Sequence, residues 1–363
     1  MIYNLPTYVI QEQDAIHKNR IRLSSYGKKA FIITGKHSSK MNGSLQDVEA
    51  ALTECGILYE IFDEVEENPS VETVMRARER GMKAGIDFLI AIGGGSPIDA
   101  AKAIAIMISN PDKDRTFLFE KTDCCKALPV IAIPTTCGTG SEVTGVSVLT
   151  VHEKRTKASL PHRVFPKLAL IDPGYLRTAA HSMMVATAID ALGHLVESYL
   201  NTTATDYSRM FVEQGLRIWS KIKPVLTGDK KPEAQDYEML MTASTFGGMA
   251  IAHTGTTLPH SLSYAITYEL GLAHGLAIGY FLPGYIRESD KKDQDYLLGL
   301  MGFQDVEEFA NFFQKTTGCG ILPEEDILKV VESVSKNQAK LDLCPYHVDK
   351  NVLLRISSWT NTI

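Results

Sequence analysis

Short apolar runs alternate with stretches of helical periodicity through the first half of the chain. Apolar runs of strand length lie at 31–34, 58–62, 87–92, 128–133 and 168–171. Helical periodicity covers 44–55, 70–84 and 97–108. Pro97 and Asp99 stand in the first turn of the last stretch, which is typical of a helix start. This alternation predicts a mostly parallel sheet whose strands are buried beneath helices on both faces.

The pattern changes after about residue 177. Long amphipathic stretches follow at 183–201, 207–222, 234–253, 260–266, 305–316 and 324–337. Because apolar positions recur there at helical spacing, and strand-like runs of β-branched residues do not, this half is predicted to be all-helical. The sequence therefore predicts an α/β domain over residues 1–177 and an all-helical domain over residues 178–363.

Composition narrows the classes of function. The chain has 363 residues, of which 44% are hydrophobic and 22% charged, as is typical of a globular protein of about two domains. Its formal net charge of −6 argues against a nucleic-acid-binding protein, which carries a basic excess. We therefore expect no nucleic-acid partner.

No segment resembles a membrane span or a secretory signal. The apolar runs fall far short of the ~20 residues that a transmembrane helix needs, and residues 1–10 lack a basic segment followed by an apolar run. Dispersed cysteines without a CxxC pair favour a reducing compartment over a disulfide framework. They are Cys55, Cys124, Cys125, Cys137, Cys319 and Cys344. The expectation is a soluble cytoplasmic protein without a membrane partner.

Two glycine-containing loops follow predicted strands. Gly93–Ser96 precedes a helix that carries Asp99 and Lys102 on roughly one face, and Pro134–Thr144 follows a second strand. Glycines permit close backbone approach to a pyrophosphate, and the exposed N–H groups of a helix start attract its charge. Ligands of parallel sheets bind beyond the carboxyl ends of the strands, so the two loops predict a nucleotide site. The alternative is a tight turn without a ligand, because Gly93–Ser96 is not the GxGxxG fingerprint.

Four side chains in the second half form a candidate metal shell. Asp190 and His194 are four positions apart and therefore lie on one face of a predicted helix. His260 begins a helical segment, and His274 stands fourteen positions later in a turn-like stretch before Gly275. One carboxylate and three imidazoles suit Zn²⁺ or Fe²⁺. The alternative is a set of ordinary helix histidines with structural roles.

Four ordered motifs resemble those of the iron-containing (group III) alcohol dehydrogenases, over essentially the full length of the chain. They are GGGSPIDAAK (93–102), PTTCGTGSEVT (134–144), IDALGHLVESYL (189–200) and the histidines 260 and 274 before Gly275. Two further segments are most similar to the 1,3-propanediol and butanol dehydrogenase branch, namely TGKHSSKMNGSL (34–45) and IFDEVEENPS (61–70). The resemblance implies a Rossmann-like α/β nucleotide-binding domain, an all-α metal-binding domain and a cleft between them. Dehydroquinate synthase shares this fold.

The resemblance also implies roles for single residues and a reaction. It implies that the metal, Fe²⁺ or Zn²⁺, is held by Asp190, His194, His260 and His274. It implies cofactor contacts from Asn68, Gly94, Gly95, Ser96, Thr135, Thr136, Thr139 and Lys157. We predict that Asp99, in the helix after the first loop, joins them. The expected reaction is hydride transfer between a nicotinamide cofactor and a small primary alcohol or aldehyde, since a divalent cation stabilises an alkoxide and polarises a carbonyl. A homo-oligomer such as a homodimer is expected from the family.

The residue after the apolar run 31–34 predicts which nicotinamide is used. An acidic residue there would hydrogen-bond the ribose 2′-hydroxyl and repel a 2′-phosphate. In this chain the position is Gly35, and Lys36, Ser38 and Ser39 follow. Because glycine leaves room, the hydroxyls donate and lysine adds positive charge, we predict NADP(H) over NAD(H). The alternative is that Gly35 is only a turn residue and that both cofactors bind.

Candidates for proton transfer lie near the predicted ligands. Many family members carry a second histidine one turn after the third ligand, where this chain has Tyr264, whose hydroxyl can relay a proton. His253 stands seven positions before His260 and is the other candidate, acting through water, unless it is a hydrogen-bonded structural histidine. Glu197, seven positions after Asp190, either orients a ligand or is an ordinary solvated or interhelical carboxylate.

Other functions use the same scaffold or dispense with catalysis. A glycerol or polyol dehydrogenase that uses NAD and Zn²⁺ is the main alternative. A lyase of the dehydroquinate synthase type is disfavoured, because residues 189–200 and 250–280 contain no Lys or Arg to bind a phosphorylated substrate. A metal-free nucleotide-binding module is disfavoured by the intact set of candidate ligands.

Overall fold

The computed structural model describes residues 4–122, 125–154 and 156–358, which form two compact units. The sheet unit contains residues 5–136 and 140–179; the helical unit contains residue 4, residues 137–139 and the described residues from 180 onward. The division runs between Ala179 and Ala180, and it places three residues of the second glycine loop in the helical unit. The domain limits 1–177 and 178–363 stay a prediction.

A parallel sheet forms the centre of the sheet unit. The strands of this unit are β1 (Tyr8–Gln11), β2 (Lys29–Thr34), β3 (Leu58–Phe62), β4 (Phe88–Gly93), β5 (Val130–Pro134), β6 (Val148–Val151), β7 (Thr156–Ser159) and β8 (Leu168–Ile171). Six of them join the parallel sheet in the order β1-β8-β5-β4-β2-β3, in which Ile32 is in register with Ile61 on one side and Ile90 on the other. The other two, β6 and β7, pair as an antiparallel hairpin. The predicted parallel sheet is confirmed.

Helices cover both faces of this sheet. They are α1 (Ala15–Asn19), α2 (Ser38–Met41), α3 (Ser44–Glu54), α4 (Val71–Ala84) and α5 (Gly95–Ser109). Phe31 and Leu89 pack into a core with α4 and α5, whereas the neighbouring Ile32 and Ile90 pack into a second core with α1 and α3. Since successive side chains point to opposite faces of a strand, continuously apolar strands fill both cores.

Strands β1, β6 and β7 were not predicted from the sequence, and two of them, β1 and β7, lack a buried apolar run. The edge strand β1 has only partly buried side chains, and Tyr8 is 54% exposed, so no continuous apolar run marks it. The hairpin strand β7 reads Thr-Lys-Ala-Ser and is also only partly buried. Both strands are held in place by backbone pairing more than by apolar burial. Because the hydrophobic pattern of a sequence does not indicate backbone pairing, it could not predict them.

The helical unit consists of helices in its described residues. They are α6 (His181–Tyr199), α7 (Asp206–Lys221), α8 (Lys223–Leu226), α9 (Ala234–Thr254), α10 (Leu258–Leu270), α11 (His274–Arg287), α12 (Lys291–Met301), α13 (Val306–Thr317), α14 (Glu324–Val334), α15 (Gln338–Leu341) and α16 (Lys350–Ser357). The predicted amphipathic stretches lie on α6, α7, α9, α10, α13 and α14. The longer helices α11, α12 and α16 were not predicted.

One local expectation in this unit is wrong. His274 was expected in a turn-like stretch, but it is the first residue of α11. The turn lies just before it, because Gly271 adopts a left-handed conformation with φ of 64° and ends α10. The turn is therefore short enough for the next helix to begin at the histidine itself.

Two sequence predictions concern membrane-spanning helices and disulfide bonds. Within the described ranges, no helix combines the length and apolarity needed to cross a bilayer. None of the five cysteines that the structure describes forms a disulfide. The sixth, Cys124, lies outside the described residues.

Candidate metal centre and nucleotide loops

Helix α6 carries the first two predicted metal ligands into the interior of the helical unit. Asp190 and His194, one turn apart, are 3% and 5% exposed. Small residues let other segments approach this helix closely. A Cβ on Gly275, at the start of α11, would lie 1.8 Å from the carbonyl oxygen of Ala186, and one on Gly138 would lie 3.1 Å from Oδ2 of Asp190. The glycines therefore bring α11 and the second glycine loop against the ligand-bearing face.

The predicted ligands converge. Asp190, His260 and His274 each offer one possible ligand atom, and these three atoms lie within 4.8 Å of one another. Oδ1 of Asp190 is 3.7 Å from Nε2 of His194 and 3.6 Å from Nε2 of His260, and these two nitrogens are 3.0 Å apart. The ring of His274 stands edge-on to that of His260, with centroids 5.5 Å apart. Three helices thus bring all four side chains to one place.

The residues present fit a divalent cation. Oδ1 of Asp190 is buried and makes no hydrogen bond with the described residues, and both nearby imidazole nitrogens lie beyond hydrogen-bond length. A buried carboxylate oxygen facing imidazole nitrogens is costly unless a cation shares it. One oxygen and three nitrogens of intermediate softness match the donor sets of zinc and ferrous iron.

Hydrogen bonds at Nδ1 orient the rings of two of the histidines. Nδ1 of His194 lies 3.2 Å from the carbonyl oxygen of Gly138, and Nδ1 of His260 hydrogen-bonds Oε1 of Glu197. Because a carbonyl and a carboxylate only accept, each Nδ1 is the donor in its bond, and each Nε2 is the atom that faces the cluster and would bind a cation. The Gly138 carbonyl is a backbone group, and no side-chain pattern in the sequence could have revealed it.

The charges of the cluster act on one another strongly. Burial raises the pKa of the Asp190 carboxyl, but the three histidines outweigh burial and hold that pKa well below its usual range. Burial lowers the pKa of His194, and Asp190 only partly opposes this. Burial also acts to lower the pKa of His260, but Glu197 and Asp190 outweigh it and raise the pKa to about 9. Asp190 is therefore an anion at neutral pH.

The two predicted relay residues lie in different surroundings. The ring of Tyr264 stacks on that of His274, with centroids 5.9 Å apart and planes 16° from parallel. Nε2 of His253 lies 3.1 Å from the backbone nitrogen of Asn4 and accepts its proton. Tyr264 thus contacts a predicted ligand, whereas the hydrogen bond of His253 is to the N-terminal segment. Both relay roles stay predictions.

The two glycine loops meet within the sheet unit. A Cβ on Gly94 would lie 3.0 Å from Oγ1 of Thr136, so a larger residue would require the Thr136 side chain to shift. The nitrogen of Thr135 donates to the carbonyl of Gly93 at 3.0 Å. Helix α5 begins at Gly95, which leaves its first N–H groups available to an anion.

Asn68 lies beside the first loop. Its backbone nitrogen donates to Oγ of Ser96 at 3.1 Å, and its carbonyl accepts from Oγ1 of Thr150 at 2.8 Å. Its φ of 58° is in the left-handed region, an arrangement that neighbouring hydrogen bonds must hold. The segment containing Asn68 is therefore fixed at the start of α5, as a cofactor contact would require.

Asp99 and Lys102 connect the first loop's helix to the second loop. Oδ1 of Asp99 accepts from Oγ of Ser141 at 2.5 Å and its Oδ2 accepts from the nitrogen of Val148 at 2.9 Å. Lys102 is fully buried and donates to Oγ of Ser141 at 2.6 Å and to the carbonyl of Val146 at 2.7 Å. Asp99 thus holds the second loop, and its predicted contact with the cofactor stays a prediction.

The remaining predicted cofactor residues differ in exposure. Lys36 and Ser38 are exposed, but Ser39 is buried and its hydroxyl accepts from that of Thr34 at 2.8 Å. Lys157 lies half-buried in β7. Thr139 belongs to the helical unit, unlike the other cofactor candidates. Their roles stay predictions.

Comparison with known proteins agrees with this architecture. Residues 6–173 match the family described as iron-containing alcohol dehydrogenase, and residues 184–340 match the C-terminal part of the Fe-containing alcohol dehydrogenase family. The chain is 32% identical over 260 residues to the long-chain primary alcohol dehydrogenase AdhA of Thermoanaerobacter ethanolicus, covering 71% of this chain and 65% of that protein. It is 29% identical over 322 residues to the NADPH-dependent butanol dehydrogenase of Clostridium saccharobutylicum, covering 87% of this chain and 79% of that protein. A crystal structure of an iron-containing alcohol dehydrogenase from Thermotoga maritima is 34% identical, with a TM-score of 0.91 over 100% of this chain and 99% of that one.

Proposed function

The chain belongs to the iron-containing alcohol dehydrogenase family, and on that premise we propose that it is a metal-dependent dehydrogenase of small primary alcohols that uses NADP(H). Its substrates resemble butanol or 1,3-propanediol and the corresponding aldehydes. The observation that carries the proposal is the convergence of the buried Asp190, His194 and His260 with the half-buried His274 in the helical unit.

The four side chains have distinct parts in holding the cation. Asp190 contributes the negative charge, and His194 and His260 present oriented Nε2 lone pairs. His274, at the start of α11, completes the set. A divalent cation held there supplies a Lewis acid that lowers the pKa of an alcohol hydroxyl and polarises an aldehyde carbonyl. Tyr264, stacked on His274, and His253 are the proposed groups for moving the hydroxyl proton.

The sheet unit supplies the proposed nucleotide site. Gly94, Gly95 and Ser96 present backbone N–H groups at the start of α5, where the helix dipole favours phosphate. Thr135 and Thr136 offer hydroxyls next to them. NADP(H), when bound, carries the hydride, and the protein contributes position and electrostatics.

The proposed preference for NADP(H) depends on Gly35 and its neighbours. Gly35 directly follows β2 and has no acidic side chain, and Lys36 is exposed beside it. A cation without a carboxylate favours a 2′-phosphate over a 2′-hydroxyl. The similar protein of Clostridium saccharobutylicum is named as NADPH-dependent, which supports the same preference here.

Turnover and metal content test the proposal together. The metal-free protein is loaded with Fe²⁺ under anaerobic conditions or with Zn²⁺, and NADPH and NADH oxidation are compared with butyraldehyde and other short aldehydes. We expect one cation per chain and a higher kcat/KM with NADPH. The variant Asp190→Asn should lose about 100-fold or more of the activity together with the metal. The matched variant Asp236→Asn removes a buried charge that pairs with Lys230, and it should keep both.

Three results would contradict parts of the proposal. Absence of turnover across the aldehydes with metal bound would contradict a dehydrogenase of this class. Higher activity with glycerol and NAD than with the primary alcohols would replace it with a polyol dehydrogenase. A strong preference for NADH would contradict the cofactor assignment alone.

Two further features stay predictions. The cytoplasmic location can be checked by fractionation of the source cells. The homo-oligomeric state, expected as a homodimer, can be measured by light scattering of the purified protein.

A further inference from the structure

Glu197 is a carboxylate without exposed surface in the helical unit, one turn beyond His194 on α6. We propose that Glu197 is a positioning residue that, together with Thr257, fixes the ring of His260 and thereby sets the affinity of the centre for its cation. The inference rests on the proposed function in one respect only, namely that the four side chains bind a metal.

Both oxygens of Glu197 are engaged. Oε1 hydrogen-bonds Nδ1 of His260. Oε2 lies 2.5 Å from the backbone nitrogen of Thr257 and 3.1 Å from its hydroxyl oxygen. The carboxylate therefore accepts from His260 on one side and from the residue just before α10 on the other.

Thr257 is fixed in its turn. Its hydroxyl lies 2.9 Å from that of Tyr285, which donates to the carbonyl of Leu200 at 2.8 Å. Thr257 and Tyr285 are both fully buried. Because the acceptor cannot rotate away, the ring of His260 is held at a single orientation.

The charge of Glu197 distinguishes His260 from His194. Nδ1 of His194 faces a neutral backbone carbonyl at 3.2 Å, whereas that of His260 faces an anion. A hydrogen bond to a carboxylate makes the opposite nitrogen of an imidazole a stronger donor to a cation. His260 is thus the imidazole whose contribution depends on one replaceable side chain.

The variant Glu197→Gln tests this with almost no change of shape. Glutamine has one accepting oxygen and one donating NH₂ group, while His260 and Thr257 both present donors. If the NH₂ group faces His260, it favours the tautomer with the proton on Nε2, which cannot bind a cation. We expect Zn²⁺ affinity, measured by chelator competition, to fall about 10- to 100-fold. The absorption bands of the Co²⁺-loaded protein should shift as well.

Control variants separate positioning from folding. Asp236→Asn alters another buried carboxylate of the helical unit, which accepts from Lys230 and from the nitrogen of Glu233, and it should leave Zn²⁺ affinity and the Co²⁺ bands unchanged. Should Glu197→Gln not fold, Thr257→Val removes only the hydroxyl and should weaken Zn²⁺ binding roughly 3- to 10-fold. Thr257→Ser should restore it.

The outcomes distinguish this inference from the proposed function. If the unmodified protein binds neither Zn²⁺ nor Co²⁺, the metal-dependent function is wrong. If it binds them, and Glu197→Gln binds Zn²⁺ within twofold with unchanged Co²⁺ bands, Glu197 is only structural and this inference is overturned. If Glu197→Gln does not fold and only the Thr257 variants can be measured, equal Zn²⁺ affinity of Thr257→Val and Thr257→Ser overturns the inference.

Discussion

Gly35, directly after β2, is the residue on which the proposed cofactor preference depends. A Cβ at this position would lie 3.3 Å from the carbonyl oxygen of Val65, so a side chain fits only if the neighbouring backbone yields by a few tenths of an ångström. Space and charge therefore act together at this position, and a pair of variants can separate them.

The variant Gly35→Asp should reverse the cofactor preference. A carboxylate there repels a 2′-phosphate and accepts from a 2′-hydroxyl, so we expect the ratio of kcat/KM for NADPH to that for NADH to fall roughly 10- to 100-fold. Steady-state kinetics with one aldehyde and both cofactors measure the ratio.

The control is Gly35→Ala, which adds the Cβ without the charge. It should weaken both cofactors alike, because the displaced Val65 carbonyl affects them equally. A change of ratio in Gly35→Ala as large as that in Gly35→Asp would mean that space, rather than charge, selects the cofactor.

Single residues differed in how far the sequence could predict their surroundings. Asp190 and His194 are close because helical spacing places them so, and this follows from the sequence alone. The contact of Glu197 with His260 needed the packing of α6 against α10, and so Glu197 could be assigned only to the correct face. Ser39 is buried and hydrogen-bonded to Thr34, and a run of polar residues in the sequence does not indicate such a bond.

Helices α6 and α11 approach each other closely enough that their backbones touch at one residue. A Cβ on Gly275 would lie 1.8 Å from the carbonyl oxygen of Ala186, which no rotation of a side chain can relieve. The variant Gly275→Ala should therefore displace the start of α11, and with it His274. We expect a loss of about 1–3 kcal/mol in unfolding free energy, and a weaker affinity for Zn²⁺.

Gly299→Ala is the matched helical control. Gly299 is exposed in α12, and nothing lies within 4 Å of the position its Cβ would take. Alanine should raise the unfolding free energy by up to about 1 kcal/mol through its helix propensity and leave metal affinity unchanged. Denaturant unfolding with and without Zn²⁺ compares the two variants, and equal behaviour would show that the contact at Gly275 is not tight.

Elements were predictable where burial imposes a period. The central strands and the amphipathic helices follow apolar patterns that their cores require, so their positions were confirmed. Helix α11 was not predicted, because it is buried almost throughout and contains Pro283, so it lacks both an amphipathic period and an uninterrupted helical composition. Edge strand β1 lacks the apolar run for the opposite reason, since none of its side chains is fully buried.

At the scale of the whole molecule, the second glycine loop is divided between the two units. Residues 134–136 belong to the sheet unit and residues 137–139 to the helical unit. Gly138 accepts from His194 there, while Thr135 bonds to Gly93. The sequence predicted one function for this loop, nucleotide binding, because its hydroxyls and glycines are local features. Its second contact, with the proposed metal ligand His194, depends on tertiary structure.

Metal and cofactor should therefore protect different parts of the chain from hydrogen exchange. A ligand at 1,000 times its Kd stabilises the residues that must open to release it by about 4 kcal/mol. With Zn²⁺ we expect slower amide exchange in α6, in the stretch from α10 into α11, and in residues 137–139, because these carry the ligands and the acceptor for His194. With NADPH we expect it at the start of α5 and in residues 134–136. Mass spectrometry of overlapping peptides resolves the two patterns of protection. The variant Asp190→Asn should lose the protection caused by Zn²⁺ and keep the protection caused by NADPH. Equal protection of both units by Zn²⁺ alone would contradict the assignment, because it would mean that the metal's contribution extends beyond the unit that contains its ligands.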